Sequence, residues 1–246
     1  AEAFRLIRTN LDFMLASNSS RSKTIFITST TRGEGKSFIS INLAASLALS
    51  NKKVVLVSLD LRAPKVTEYL GIPERSGVTN YLMDSNLTIQ DIKFNIPQFK
   101  DLDIIASGII PPNPAELLMT NKIEDFFKSL KDEYDYIVVD TAPVNLVTDT
   151  FLVSKYADMF VYTIRVNYLD KRLLSVPKSL YNEKRLPNMA ILINDTNPKK
   201  VYGYGGYDLI MAYQGDDTVF AGAGNDTAYG GRYHDILLGQ EGFDIL

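Results

Sequence analysis

Short runs of consecutive apolar residues alternate with longer stretches of helical periodicity over residues 1–200. The apolar runs, which are rich in Val and Ile, cover residues 24–28, 54–57, 102–106, 136–139, 159–164 and 190–193. The helical stretches cover residues 37–50, 114–130, 146–156 and 170–184. Strands that are apolar on both faces need a layer of helices on each side. The pattern therefore predicts an α/β fold, a parallel sheet with helices on both faces.

The pattern changes near residues 197–200, beyond which glycine and aspartate replace the apolar runs. Residues 203–246 hold 10 of the 15 glycines, and they hold seven acidic side chains against the single Arg232. Such a shift in composition indicates a boundary between modules. We therefore expect two domains, residues 1–200 and residues 203–246.

The C-terminal segment repeats with a period of nine residues. The repeated aspartates are Asp208, Asp217, Asp226, Asp235 and Asp244. A glycine stands two positions before each of them except Asp235, and an apolar residue stands two positions after each. This pattern resembles the RTX calcium-binding nonapeptide, which combines glycine turns, hard carboxylate oxygens and inward apolar residues. The resemblance implies a short β-roll with Ca²⁺ between repeats n and n+2; the alternative is a disordered tail.

Composition narrows the possible partners. The net charge of −3 provides no global basic field, so we expect no nucleic-acid partner. The absence of cysteine excludes disulfides and thiolate metal sites. No apolar run is long enough for a membrane span. Because the chain lacks an initial Met and begins in a helical pattern, we interpret it as a segment of a longer protein, with no visible signal peptide.

Residues 29–37, Ser-Thr-Thr-Arg-Gly-Glu-Gly-Lys-Ser, lie between a predicted strand and a predicted helix. This is the setting of a phosphate-binding loop. Gly33 and Gly35 would let backbone N–H groups face the phosphates of a nucleotide. Lys36 would add a positive charge, and the Ser37 hydroxyl would bind Mg²⁺. The motif usually begins with Gly or Ala and begins here with Ser29.

Two carboxylates follow predicted strands. Asp140 ends the run at 136–139, and Asp60 comes shortly after the run at 54–57. Ligands bind at the carboxyl ends of parallel strands, and carboxylates are preferred by Mg²⁺. The predicted Mg²⁺ ligands are therefore Ser37, Asp60 and Asp140. For each aspartate alone, a helix cap or turn residue is the alternative.

In order and spacing, residues 29–37, 54–64 and 136–143 resemble the Walker A, Walker A′ and Walker B motifs of bacterial tyrosine kinases. These are the kinase domains of Wzc-like and CpsD-like polysaccharide co-polymerases. The motifs that define eukaryotic kinases are absent from the sequence. The resemblance implies an ATP- and Mg²⁺-dependent tyrosine autokinase that regulates capsular or exopolysaccharide synthesis and export.

The resemblance also implies roles for individual residues. Asp60 would accept the proton of the tyrosine hydroxyl, and Asn194 would contact adenine. The implied catalytic residues are Lys36, Asp60, Arg62 and Asp140. The implied nucleotide-binding residues are Arg32, Gly33, Glu34, Gly35, Lys36, Ser37, Phe38 and Asn194. An oligomerisation motif is implied at Glu2, Arg5 and Arg8, and phosphorylated tyrosines are implied at Tyr202, Tyr204 and Tyr207.

Further implications of the resemblance concern partners and location. The family works as a homo-oligomeric ring, together with a membrane-spanning activator segment that this chain lacks. We therefore expect the kinase part at the cytoplasmic face of the bacterial inner membrane. RTX repeats usually fold outside cells, where Ca²⁺ is abundant, so the C-terminal segment fits an extracellular setting instead.

The sequence departs from the family at two positions and leaves two other functions open. Ser58 stands where the family usually has the first Walker A′ aspartate, and Arg32 stands where the family usually has a proline. One alternative is a partition or site-selection ATPase, but the extra lysine of that group is missing at residues 30–32. The other is a Ca²⁺-dependent folding or display module on a weak nucleotide-binding scaffold.

Overall fold

The computed structural model describes residues 2–16, 20–195, 201–212, 217–231 and 235–246. Its α-helices are α1 (Glu2–Met14), α2 (Lys36–Ala48), α3 (Val66–Leu70), α4 (Val78–Met83), α5 (Ile89–Ile92), α6 (Pro114–Leu118), α7 (Lys122–Glu133), α8 (Asp149–Val153) and α9 (Ser175–Asn182). Short 3₁₀ helices cover Ser154–Tyr156 and Lys171–Leu174.

The strands form two sheets. The strands before the repeat segment are β1 (Lys23–Ser29), β2 (Val54–Ser58), β3 (Lys93–Asn95), β4 (Leu102–Ile105), β5 (Tyr136–Asp140), β6 (Met159–Arg165) and β7 (Met189–Asn194). The C-terminal ones are β8 (Val201–Tyr202), β9 (Asp208–Met211), β10 (Thr218–Ala223), β11 (Thr227–Tyr229) and β12 (Ile236–Glu241).

The larger sheet has nine strands in the order β11-β9-β7-β6-β1-β5-β2-β4-β3. All neighbours in it run parallel except β3, which is antiparallel to β4 at the edge. The crossover helices lie on both faces, so the predicted α/β class is confirmed. The antiparallel edge strand was not predicted, because a three-residue strand has no periodicity to detect.

Side chains of the central strands alternate between two apolar cores. On β1, Phe26 packs with α7 residues Phe126 and Phe127 on one face. Its neighbours Ile25 and Ile27 pack on the other face, in the core that α1 and α2 complete. This burial on both faces is the reason that the strands read as continuous apolar runs.

Three predicted helices differ from the structure. The stretch 114–130 is two helices, α6 and α7. Between them the Thr120 hydroxyl donates to the Leu117 carbonyl at 2.8 Å, and this bond competes with the backbone hydrogen bonds that would continue α6. The stretch 146–156 is helical only from Asp149 and tightens to 3₁₀ geometry at Ser154. The stretch 170–184 begins as a 3₁₀ turn before α9. Among the described helices, none has the length and apolarity of a membrane span.

The repeat segment folds against the rest of the chain. β9 pairs with β7, and β11 pairs with β9, so both continue the nine-stranded sheet. β8, β10 and β12 form a separate three-stranded sheet. Between the two sheets, Ile193 of β7 packs with Ile210, Val219 and Ala228. The repeats thus form a two-sheet roll, one side of which is the edge of the larger sheet.

Candidate nucleotide and catalytic site

The loop between β1 and α2 has the backbone of a phosphate-binding loop. Gly33 and Gly35 adopt φ values of 82° and 95°, which disfavour any side chain. A methyl group at Gly35 would overlap the Asn194 amide, and one at Gly33 would overlap the Tyr168 hydroxyl. Both glycines are therefore required by backbone conformation and by the close approach of neighbouring side chains.

The Walker B aspartate lies directly beneath this loop. The Ser37 hydroxyl donates to Asp140 Oδ2 at 2.7 Å, and the Ser40 hydroxyl donates to Oδ1 at 3.2 Å. Burial raises the pKa of Asp140 to about 6, an effect that the charge of Lys36 and the Ser37 hydrogen bond oppose. Asp140 is thus a carboxylate held in a low-dielectric site beside the predicted phosphate charge, where a cation would stabilise it.

Asp60 comes two residues after β2, which is hydrogen-bonded to β5. Its Oδ1 accepts hydrogen bonds from the backbone N–H groups of Arg62 and Ala63 at 3.3 and 3.1 Å. It is 6% exposed, and its charge contributes to the raised pKa of Asp140. The sheet therefore brings Lys36, Asp60 and Asp140 together at the carboxyl ends of β1, β2 and β5.

Arg62 is held by a partner that the sequence analysis missed. Its guanidinium donates to both carboxylate oxygens of Asp149, at 2.7 and 3.0 Å, and Asp149 is 2% exposed. This hydrogen bonding raises the pKa of Arg62. Asp149 stands in the first turn of α8, where an acidic residue is ordinary, so no sequence signal distinguishes it.

The far side of the loop contacts the ends of β6 and β7. Asn194 Nδ2 donates to the Glu34 carbonyl at 3.0 Å, and Arg165 Nη1 donates to the Gly33 carbonyl at 3.1 Å. The Glu34 carboxylate is fully buried and accepts from the Thr31 N–H at 2.6 Å; burial raises its pKa. Arg165 belongs to no motif and was missed. The adenine contact of Asn194 stays a prediction.

Two further predicted nucleotide-binding residues are exposed. Arg32 lies at the surface, and Phe38 packs edge-on against Phe4 of α1 with ring centroids 6.0 Å apart. Their contacts with a nucleotide stay predictions. Ser58, at the usual position of the first Walker A′ aspartate, is buried, and its hydroxyl lacks a hydrogen-bond partner among the described residues.

The repeat aspartates interact at a spacing of two repeats. The N–H of Asp208 donates to Asp226 Oδ1 at 2.9 Å, and the N–H of Asp226 donates to Asp244 Oδ1 at 3.0 Å. In the other sheet, the N–H of Asp217 donates to Asp235 Oδ1 at 2.9 Å. This is the relation between repeats n and n+2 that the RTX resemblance implies.

Buried carboxylate oxygens in the roll fit a cation. Within the described residues, Asp208 Oδ2 and Asp226 Oδ2 are buried without a hydrogen-bond partner. Burial and the nearby charge of Asp226 raise the pKa of Asp208 to about 7. Three acidic or histidine side chains do not meet at one point in the described parts of the chain, so a bound ion would also need other oxygens.

Comparison with known proteins identifies the family. The AAA domain family matches residues 22–174, and the RTX calcium-binding nonapeptide repeat matches residues 200–228. Tyrosine-protein kinase YwqD of Bacillus subtilis is 32% identical over 84% of this chain and 86% of its own length. Tyrosine-protein kinase CpsD of Streptococcus agalactiae is 32% identical over 84% of this chain and 87% of its own length. The chain is a bacterial tyrosine kinase.

Solved structures agree with this assignment. The chimerical protein CapA2B2 superposes with a TM-score of 0.70 at 34% identity, over 78% of this chain and 83% of that one. The kinase domain of Escherichia coli tyrosine kinase ETK gives 0.70 at 29% identity, over 82% and 80%. A Borrelia burgdorferi plasmid partition protein is more distant, with 0.57 at 25% identity over 70% and 79%.

Some relatives of this kinase are much larger. The match to tyrosine-protein kinase ptk of Acinetobacter johnsonii, at 29% identity, covers 79% of this chain but only 26% of that protein. The kinase domain is therefore found both in chains of similar length and as a minor part of longer ones.

The predicted oligomerisation and phosphorylation residues lie at opposite ends of the kinase chain. Arg8 Nη1 donates to the Ser46 carbonyl at 2.9 Å near the end of α2, whereas Arg5 is exposed. The side chain of Glu2 lies outside the described residues. The exposed fractions of the predicted tyrosines are 45% for Tyr202, 75% for Tyr204 and 54% for Tyr207.

Proposed function

We propose that this kinase transfers the γ-phosphoryl group of ATP to tyrosines, including its own, in an Mg²⁺-dependent reaction that regulates capsular or exopolysaccharide synthesis. The observation that carries the proposal is the junction of Lys36, Ser37, Asp60 and Asp140 beneath a glycine loop. Oxygen ligands in this arrangement fit Mg²⁺, which would help to neutralise the charge of the phosphates.

Each residue at the junction has its own role. Lys36 is only 7% exposed and would place its positive charge beside the γ-phosphate. Ser37, Asp60 and Asp140 would hold Mg²⁺. Asp60 is also kept in orientation by two backbone N–H groups and accepts the proton of the tyrosine hydroxyl. As the tyrosine oxygen bonds to the γ-phosphorus, the bond to the bridging oxygen breaks and ADP leaves.

The wider setting is part of the same proposal. The kinase assembles into a ring through Glu2, Arg5 and Arg8 and phosphorylates Tyr202, Tyr204 and Tyr207 of a neighbour. A membrane-spanning activator segment holds it at the cytoplasmic face of the bacterial inner membrane. Ca²⁺ binds the aspartates of the repeats, whose paired and buried oxygens support this. No nucleic acid is involved.

Mass spectrometry of the purified chain after incubation with ATP and Mg²⁺ tests the proposal. We expect tyrosine phosphorylation in the wild type and its loss in Asp60→Asn, which keeps the size of the side chain but removes the proton acceptor. Binding of ATP, measured by calorimetry, should survive in Asp60→Asn and be lost in Lys36→Ala. Equal phosphorylation in Asp60→Asn and wild type would contradict the assigned role. Ca²⁺-dependent folding without any phosphotyrosine would favour the alternative of a display module.

A further inference from the structure

The repeat segment and the phosphate loop are connected by a single strand. β9 begins at Asp208, which lies opposite Ile191 of β7, and Leu209 lies opposite Leu192. β7 ends three residues after Ile191, at Asn194, whose amide donates to the Glu34 carbonyl of the loop at 3.0 Å. At about 3.3 Å per residue, the repeat aspartate and the loop contact are separated by about 10 Å along one strand.

Two further contacts join the end of this strand to the end of β6, and one of them continues to the loop through Arg165. Asp195 forms an ion pair with Arg165 at 2.8 Å, and Arg165 donates to the Gly33 carbonyl at 3.1 Å. The N–H of Val166 donates to the Asn194 carbonyl at 3.0 Å. A change in the position or order of β7 would therefore reach the backbone of Gly33 and Glu34, which would line a bound nucleotide.

β9 is also anchored on both of its faces. Leu209 and Met211 belong to the core that Ile7 and Leu11 of α1 complete. On its other face, Ile210 packs with Ile193 and with apolar residues of the second sheet. Beyond β9, the Tyr229 hydroxyl of β11 hydrogen-bonds to the Asn10 amide group of α1. The order of β9 is thus tied to the core of the kinase.

The order of β9 depends in turn on two buried carboxylates. Asp208 and Asp226 are stacked, with one hydrogen bond between them at 2.9 Å and two oxygens unsatisfied among the described residues. Like charges in a buried site destabilise each other, and a divalent cation would remove this repulsion. A cation at this layer therefore favours the ordered, paired form of β9.

We propose that Ca²⁺ binding at the Asp208–Asp226 layer strengthens ATP binding at the phosphate loop through β9 and β7. The inference rests on the proposed ATP site and adds a regulator to it. By linkage, ATP must strengthen Ca²⁺ binding by the same factor. Couplings of this kind are typically about fivefold or more, and we expect the dissociation constant of ATP to fall by that amount.

The experiment measures the affinity of the kinase for a fluorescent ATP analogue in excess Mg²⁺, without Ca²⁺ and with about 10 mM Ca²⁺. This concentration exceeds the Ca²⁺ dissociation constants that are typical of extracellular modules. Asp226→Asn should abolish the Ca²⁺ effect. Asp235→Asn is the matched control, because it alters the same position of a repeat in the sheet that does not pair with β7. It should retain the effect. Since Ca²⁺ exchange on the nucleotide itself is common to all variants, their comparison corrects for it.

A variant on the connection provides a second measurement. Asp195→Ala removes the ion pair with Arg165 at an exposed position. It should leave Ca²⁺ binding by calorimetry unchanged and reduce the Ca²⁺ effect on ATP affinity. An ATP affinity that is independent of Ca²⁺, with Ca²⁺ demonstrably bound, would overturn the inference, as would an equal loss in Asp235→Asn and Asp226→Asn. A failure of ATP binding in the absence of Ca²⁺ and in its presence would instead overturn the proposed function.

Discussion

Single residues decide the shape of the phosphate loop, and Gly35 is constrained twice. Its φ of 95° penalises a side chain, and a methyl group would overlap the Asn194 amide. Gly71 provides a matched control, since its φ is 64° and nothing lies within 4 Å of an added methyl group. Gly71→Ala should cost about 1 kcal/mol of unfolding free energy, the usual penalty of the left-handed conformation.

Gly35→Ala should cost more than Gly71→Ala, because the overlap is added to the backbone penalty, and it should abolish ATP binding. Denaturant unfolding measures the first effect and calorimetry the second. Equal losses of stability in the two variants would show that the contact with Asn194 does not constrain the loop.

The pH dependence of stability is a second property of one residue. Because the pKa of Asp140 is raised from 3.8 to about 6, the folded protein holds a proton that the unfolded chain releases. This contribution to stability is fully present below pH 4 and is lost as the pH rises to about 6. Relative to Asp140→Asn, the ATP-free kinase should lose about 1 kcal/mol or more per pH unit in that window.

Denaturant unfolding of both proteins at pH 4.5, 5.5, 6.5 and 7.5 checks this prediction. Saturating ATP and Mg²⁺ should remove much of the loss, because a bound cation favours the ionised carboxylate. A difference between wild type and Asp140→Asn that stays constant across these pH values would contradict the assigned environment.

At the scale of elements, the roll fixes the backbone around the predicted phosphorylated tyrosines. Tyr202 stacks on Phe220 with ring centroids 4.7 Å apart, and the Ala223 N–H donates to the Tyr204 carbonyl at 3.0 Å. Their rings are partly exposed, but a tyrosine must leave this pairing to extend into a neighbouring active site. Ca²⁺ should therefore reduce phosphorylation of Tyr204 at saturating ATP, where nucleotide occupancy is constant.

Site-resolved mass spectrometry with and without Ca²⁺ measures this effect. In Asp235→Asn the second sheet, which contains the partners of Tyr202 and Tyr204, should lose its Ca²⁺ response. Phosphorylation of Tyr204 should then continue in Ca²⁺. An unchanged Tyr204 signal in the wild type on addition of Ca²⁺ would show that the roll does not protect this tyrosine.

For the molecule as a whole, the proposed ring would assemble through α1, one face of which packs on α2 and β9. Arg8 is already hydrogen-bonded within the chain, so its reversal would also disturb α2. Arg5 is exposed and is the sharper test. Arg5→Glu should lower the oligomer size and phosphotyrosine together, whereas reversal of the exposed Arg21 should change neither.

Sedimentation and phosphotyrosine assays at several protein concentrations measure this prediction. In the ring model, phosphorylation rises with concentration because one subunit modifies another. If Arg5→Glu retains both the oligomer and the concentration dependence, the helix does not hold the ring.

The class of the fold, the phosphate loop and the nine-residue repeats could be predicted from the amino-acid sequence. Each of these depends on local order: β-branched runs buried on both faces, glycines where the backbone turns left-handed, and aspartates at a fixed spacing. Ser37 and Asp140 could be paired in advance because Asp140 ends β5 and the loop that leads to Ser37 begins at the same edge of the sheet, at the carboxyl end of β1.

Contacts between side chains that are distant in sequence could be read only from the folded chain. The pairing of Arg62 with Asp149 and of Arg165 with Asp195 joins residues whose types are ordinary at their own positions. The position of the repeats also depends on the folded chain. β9 pairs with the side of β7 that β6 leaves open, and its apolar side chains enter the two cores on either face of the sheet. Edge pairing and burial are set by surfaces that form only when distant segments fold together, and no periodicity in the sequence records them.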